Sequence, residues 1–177
     1  LNECATLLYK TQKAIAALPF IHEDTNKVVH KNMRLGLGVT GLCQSFHKIE
    51  WLDKCYVNLR KFDKVWSKTR GWPESIKLTT VKPSGTLSLL GGATPGIHPA
   101  YSRYYLRTVR MSSSDQLVQV CKDLGYHTEF LLNFDGSQNH DTVVVYFPCE
   151  TPEGALLTKD TPLIEQLNLV KKVQEIW

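Results

Sequence analysis

The chain has 177 residues, 42% hydrophobic and 21% charged, with a formal net charge of +4: an ordinary globular composition, compatible with anionic substrates and too mildly basic to mark a nucleic-acid binder. No apolar run approaches the ~20 residues of a membrane helix, and Leu1 to Phe20 mixes charge into its apolar positions, unlike a signal peptide. The five cysteines (Cys4, Cys43, Cys55, Cys121 and Cys149) include no C-x-x-C pair, which argues against a disulfide framework or a zinc site and fits a reducing cytoplasm.

Leu1 to Leu18 reads as a helix with Leu7, Leu8, Ile15 and Leu18 as its apolar stripe and Cys4 half in the core; Pro19 ends it. Ile21 to His30 is polar, a loop leading into a helix around Asn26. His22, His30 and His47 are too dispersed for metal ligands. Arg34 to Gly41 alternates apolar residues with glycine, a short buried segment whose glycines allow close backbone approach. Thr40 to Ile49 is predicted helical, with Leu42, Phe46 and Ile49 on one side. Trp51 to Trp72 is an amphipathic helix carrying Tyr56, Leu59, Phe62, Val65 and Trp66. Its basic residues, Lys61 among them, read as a solvated face, and Gly71 and Pro73 close it.

Ile76 to Val81 is β-branched and strand-like, and Lys82-Pro83-Ser84-Gly85 turns the chain. Thr86 to Leu90 then opens a helix with Ser84 or Thr86 as N-cap. A strand, a small-residue turn and a helix start are the makings of an anion site, with unpaired N–H groups pointing outward and Gly85 letting a phosphate reach the backbone, although many α/β turns of this composition bind nothing. The spacing is neither a Walker loop nor a dinucleotide fingerprint. Gly91 to Gly96 is a flexible loop of the kind α/β folds use for chemistry. His98 is of a type that serves as acid or base, but its place just before Pro99 favours a role in ordering that loop. Tyr101 to Arg110 gathers two or three arginines whether it is strand or helix, and a polyphosphate contact and an ion-paired face both stay open.

Ser112 to Asp115 caps a helix through Leu124, with Leu117, Val120 and Leu124 inward and Gly125 at its end. Thr128 to Leu132 is a strand and Asn133 to Asp141 a polar turn. Thr142 to Phe147 is a continuous apolar run suited to a sheet buried on both faces, ended by Pro148 and Pro152. Thr161-Pro162 starts a last helix with Leu163, Leu167, Val170 and Val173 inward. Helices alternating with strands predict an α/β fold with mainly parallel strands.

Two segments carry a resemblance. KPSGTLSLLGGATPGIHPAYSRYY, with Pro83-Ser84-Gly85-Thr86 and Thr94-Pro95-Gly96 followed by Pro99, resembles the late part of the catalytic barrel of adenosylcobalamin-dependent ribonucleoside-triphosphate reductases. Upstream, Asn32-Met33-Arg34-Leu35-Gly36-Leu37-Gly38-Val39-Thr40-Gly41 is similar to a second segment of the same family. The resemblance covers nearly the whole chain and implies a partial α/β barrel, with residues 1–177 a fragment of one catalytic domain. It implies that Ser84, Gly85 and Thr86 hold substrate phosphates, with Ser88 a weaker candidate, and that no catalytic residue lies in this stretch: Asn2-Glu3-Cys4-Ala5 does not match the family's radical-cysteine motif. It also implies adenosylcobalamin as cofactor, thiyl-radical reduction of ribonucleoside triphosphates, a thioredoxin-like reductant and the remainder of the polypeptide as partners, without direct nucleic-acid contact. The first and last residues look like cut ends. A diphosphate-using, iron-dependent reductase and a non-catalytic nucleotide-binding module are the alternatives, ahead of an RNA-binding module built on the basic helix.

Overall fold

Two packed helices and a short parallel sheet organise the first part of the chain. The computed structural model describes residues 1–177, which divide into Leu1–Ala100 with Gly154–Trp177, and Tyr101–Glu153. In the first unit α1 (Asn2–Ala16) and α2 (Glu23–Asn32) lead into β1 (Arg34–Leu37). Short 3₁₀ turns at Leu42–Gln44 and Phe46–Lys48 precede α3 (Glu50–Arg70), β2 (Lys77–Thr79) and the single turn α4 (Leu87–Leu90); α6 (Leu163–Ile176) returns to this unit. β1 and β2 pair in parallel, Arg34 with Lys77 and Leu37 with Thr79. Trp177 pins α6 to them: its indole N–H donates to Leu37 O (3.1 Å), and its carbonyl accepts from the Thr79 hydroxyl (2.6 Å). The core gathers Tyr9, Leu52, Cys55, Leu59, Leu78, Leu169 and Val173.

The first unit also buries a charge pair. Lys13 and Asp63 are 0% and 1% exposed, with Lys13 Nζ 2.5 Å from Asp63 Oδ1. The ammonium's other donors reach Ser67 Oγ (2.5 Å) and Pro73 O (2.9 Å). Asp63 also accepts from Tyr9 OH (2.6 Å), Ser67 Oγ (2.8 Å) and Ser75 N (2.8 Å). Burial alone would raise the Asp63 carboxyl, but the donors from Lys13, Tyr9, Ser75 and Ser67 outweigh it and hold it below the usual carboxylate range. Tyr9 is pushed up by burial and by donating to Asp63.

In the second unit β3 (Tyr104–Ser112), β5 (Gln138–Glu150) and β4 (Thr128–Leu132) form an antiparallel sheet in the order β3-β5-β4. α5 (Gln116–Asp123), capped by Asp115 accepting from Leu117 N, packs Val118 and Cys121 on Val143 and Val145. The parallel pairing expected of the α/β class is found in the first unit, between β1 and β2 and in an isolated bridge between Ala100 and Leu157, while the sheet of the second unit is antiparallel. The Thr142–Phe147 run is part of the central antiparallel strand, and β5 continues through Pro148, which stands opposite Leu106. β4 stops pairing at Val145, so beyond it one edge of β5 is open and a missing N–H costs nothing there.

Several helices present a different face from the one their leucines mark. α1 buries Ala5, Tyr9 and Lys13, while Leu7, Leu8, Ile15 and Leu18 are exposed; Cys4 is exposed too. α5 buries Val118 and Cys121 rather than Leu117, Val120 and Leu124. α6 buries Leu169 and Val173, leaving Leu163 and Leu167 outside. On α3 the inward residues are Leu52, Cys55, Leu59, Asp63 and Ser67, and Val65 is exposed. Between Thr40 and Ile49 the two 3₁₀ turns replace the expected helix, because Gly41, at φ +70°, breaks the start.

Replacing Asp63 by Ala strands the Lys13 ammonium without its counter-charge and is expected to destabilise the fold by roughly 3–5 kcal/mol in urea unfolding. The pH dependence has a defined sign. A carboxyl lowered in the folded state stabilises above its unfolded value and loses that contribution as pH falls below about 4. A phenol raised in the folded state stabilises below about 10 and loses its contribution as pH rises further. Asp63→Asn should remove the acid limb and Tyr9→Phe the alkaline one.

Candidate functional site

The carboxyl ends of β1 and β2 emerge side by side, the position where parallel α/β sheets bind ligands. Past β1 come Gly38 and Gly41; past β2 come Lys82 and the Pro83-Ser84-Gly85-Thr86 turn. A third segment, Thr94-Pro95-Gly96, backs the turn. Gly96, at φ +59°, leaves no room for a side chain: a Cβ there would sit 2.2 Å from Lys82 O and 3.0 Å from Ser84 N. Ile97 N donates to Lys82 O (3.3 Å), and Gly41 N to Thr94 O (3.0 Å). Gln44 Oε1 accepts from Thr94 N (2.6 Å). The Thr94 hydroxyl is buried without a hydrogen-bond partner.

Within the turn, the predicted site residues divide. Ser84 and Ser88 are buried, and the Ser88 hydroxyl donates to Ser84 O, closing the turn from inside. Gly85 and Thr86 are exposed. A Cβ on Gly85 would meet nothing within 4 Å, and its backbone is not left-handed, so neither packing nor turn geometry calls for glycine there. Thr86 is the N-cap of α4, and no side chain caps the first N–H groups. α4 has only four residues, so the expected helix dipole contributes little and the free N–H groups matter more.

The other candidates fall outside this arrangement. His98 is exposed, and its N–H donates to Pro95 O (3.0 Å). Tyr101 to Arg110 is largely β3, where Arg103 pairs with Glu150 at 2.7 Å and Arg107 donates to Tyr105 OH at 2.7 Å, which favours the ion-paired reading at Arg103. Burial pushes the Cys43 thiol up to about 11 and also raises Cys55, so neither is a ready thiolate. No three His, Cys, Asp or Glu side chains gather to hold a metal ion, and no helix is long and apolar enough to cross a membrane. Gln44 and the side chain of Lys82 were missed in the sequence. Nothing local marks Gln44; Lys82 could have been found from its place between strand and turn.

No protein-family model matches the chain. An adenosylcobalamin-dependent ribonucleoside-triphosphate reductase of Euglena gracilis is 35% identical over 179 residues, covering 98% of this chain and 24% of the relative. The chain is homologous to a segment of the adenosylcobalamin-dependent ribonucleotide reductases. A probable reductase of the same type from Dictyostelium discoideum is 35% identical over 160 residues, covering 87% of the chain and 20% of its own length. That of Lactobacillus leichmannii is 32% identical, covering 73% and 22%. The crystal structure of a B12-dependent (class II) ribonucleotide reductase superposes with a TM-score of 0.84 at 26% identity, over 99% of this chain and 29% of that one. The resemblance read from the two glycine-bearing segments therefore holds, as does the expected partial reductase-type α/β fold. The chain spans about a quarter or less of the curated relatives it matches.

The two turn glycines should respond oppositely to alanine. Gly96→Ala meets backbone at 2.2 Å in a left-handed conformation and should lower stability by about 1–3 kcal/mol or more in thermal unfolding. Gly85→Ala should stay within about 0.5 kcal/mol of the parent. Near neutral pH, iodoacetamide should label exposed Cys4 and leave Cys43 and Cys55 unmodified in the folded protein.

Proposed function

We propose that residues 1–177 are part of the catalytic barrel domain of a cytoplasmic ribonucleoside-triphosphate reductase and hold the phosphates of its substrate. Gly85 carries the reading. It is an open glycine that the protein's own packing does not need, at the carboxyl end of a parallel strand pair, in a turn braced from behind by Gly96. In this reading, backbone N–H groups of Ser84, Gly85 and Thr86 and the Thr86 hydroxyl donate to phosphate oxygens. Ser88 supports the turn through Ser84 O and is the weaker direct contact.

The chemical step belongs to the rest of the polypeptide. Reduction by a thiyl radical and a thioredoxin-like reductant needs a radical cysteine, a redox cysteine pair and a carboxylate around the ribose, none of which the motifs of this segment supply. The relatives are named for adenosylcobalamin, which supplies radical chemistry when bound. The side chains here do not fit as its holder: the histidines are dispersed, and His30 Nε2 already contacts Leu18 O at 3.1 Å. What these residues do is fix the triphosphate so that the ribose stays in register with groups elsewhere, since misplacement of about 1 Å can cost around 10²-fold in rate.

In the complete reductase, Gly85→Val should block the approach of phosphate and Thr86→Val should remove a donor. Both should raise KM for the nucleotide, the first by about tenfold or more, without lowering the unfolding temperature. Unchanged KM and kcat in both variants would remove the phosphate-loop assignment.

A further inference from the structure

Lys82 stands immediately before the turn, and its side chain has an arranged resting place. A Cβ on Gly38 would lie 2.4 Å from Lys82 Cε, 2.5 Å from Cδ and 2.9 Å from Cγ, so the lysine stem lies along the Gly38 backbone where any other residue would displace it. The backbone of Lys82 is held as well, its carbonyl accepting from Ile97 N and abutting Gly96. Its ammonium has no counter-charge: the ion pairs of the chain involve Lys13, Lys27 and Arg103. No hydrogen bond uses it either, although Lys82 is half-buried.

Other cations nearby are committed or placed at the wrong end. Arg34 and Lys77 sit at the start of the parallel pair, opposite the turn. Arg60 donates to Ser75 O (2.7 Å) and Ile76 O (3.1 Å). A lysine whose stem is already laid down and whose ammonium is unpaired can meet an anion with little further ordering. The adjoining turn offers neutral N–H donors, which suit one phosphate group, whereas further phosphates add charge that only a cation offsets.

We propose that Lys82, laid across Gly38, is the specificity residue that distinguishes a nucleoside triphosphate from a diphosphate by pairing with the outer phosphates. The proposal rests on the phosphate-loop reading. Gly38 in turn is a positioning residue, acting through the lysine stem.

The test uses the complete reductase, cytidine tri- and diphosphate as probes, and equilibrium binding together with KM. Lys82→Met keeps the stem and removes the charge. It should weaken the triphosphate about tenfold or more and the diphosphate markedly less, and flatten the salt dependence of triphosphate binding, while Lys82→Arg should recover most of the loss. Gly38→Ala should reproduce the selective loss and be non-additive with Lys82→Met; if it does not fold, the two lysine variants decide. Equal loss of both nucleotides, or none, in Lys82→Met while Gly85→Val still weakens both would overturn the Lys82 proposal and leave the loop intact. Parent-like binding in both Lys82→Met and Gly85→Val would overturn the loop reading and the proposal together.

Discussion

The buried Lys13–Asp63 pair is the constraint on which the first unit depends. Removing two charges from water costs several kcal/mol per ion, and their attraction offsets that only when geometry is good and the remaining donors and acceptors are filled. Both conditions are met here, with all three ammonium donors used and the carboxylate receiving four hydrogen bonds. The partners come from α1, from α3 and from the Pro73–Ser75 segment, so one arrangement of the three satisfies them. That segment feeds directly into β2, and Arg60 on α3 grips the same stretch through Ser75 O and Ile76 O. The position of the turn after β2 is therefore inherited from a charge pair two elements away. An apolar substitute of equal volume could be as stable, but it would not tie a helix pair to the start of a strand by named atoms.

The glycines of the site divide by what confronts them. Gly96 is pressed on Lys82 O in a left-handed turn, Gly41 is left-handed beside Gln44, and Gly38 lies beneath a lysine stem. Each of these is explained by the protein itself. Gly85 has open space where its side chain would be, and neither packing nor a left-handed backbone accounts for it. The same comparison separates Ser88, turned inward onto Ser84 O, from Thr86, which is exposed. A rigid back and an open front is the arrangement a binding turn needs if it is to hold a ligand without first being ordered by it.

The chain corresponds to a segment of much larger reductases, and its surface is consistent with that. Leu7, Leu8, Ile15 and Leu18 on α1, and Leu163 and Leu167 on α6, are exposed. The β1–β2 pair has only two strands, which leaves strand edges unpaired. The residues that hold a nucleotide and the residues that reduce it are, in our reading, on different parts of one polypeptide.

Local chemistry written in the sequence determined much of this protein. Gly71 ends α3, Asp115 caps α5, Thr128 to Leu132 is a strand as its residues predict, and the Pro-Ser-Gly-Thr turn follows a strand and precedes a helical turn. What only the tertiary structure decided is which face of each helix turns inward. The apolar period of α1 is real, but its buried line runs through Ala5, Tyr9 and Lys13, because a carboxylate on α3 makes a buried lysine acceptable and no window of one helix contains that partner. The same holds for strand partners: a β-branched run forms a strand in either orientation, and β5 pairs antiparallel because β3 and β4 flank it. At the site, the Ser84–Thr86 turn was legible because turn residues act on their own backbone. Gln44 behind Thr94 and the lysine stem over Gly38 were not, because each contact joins residues more than forty positions apart.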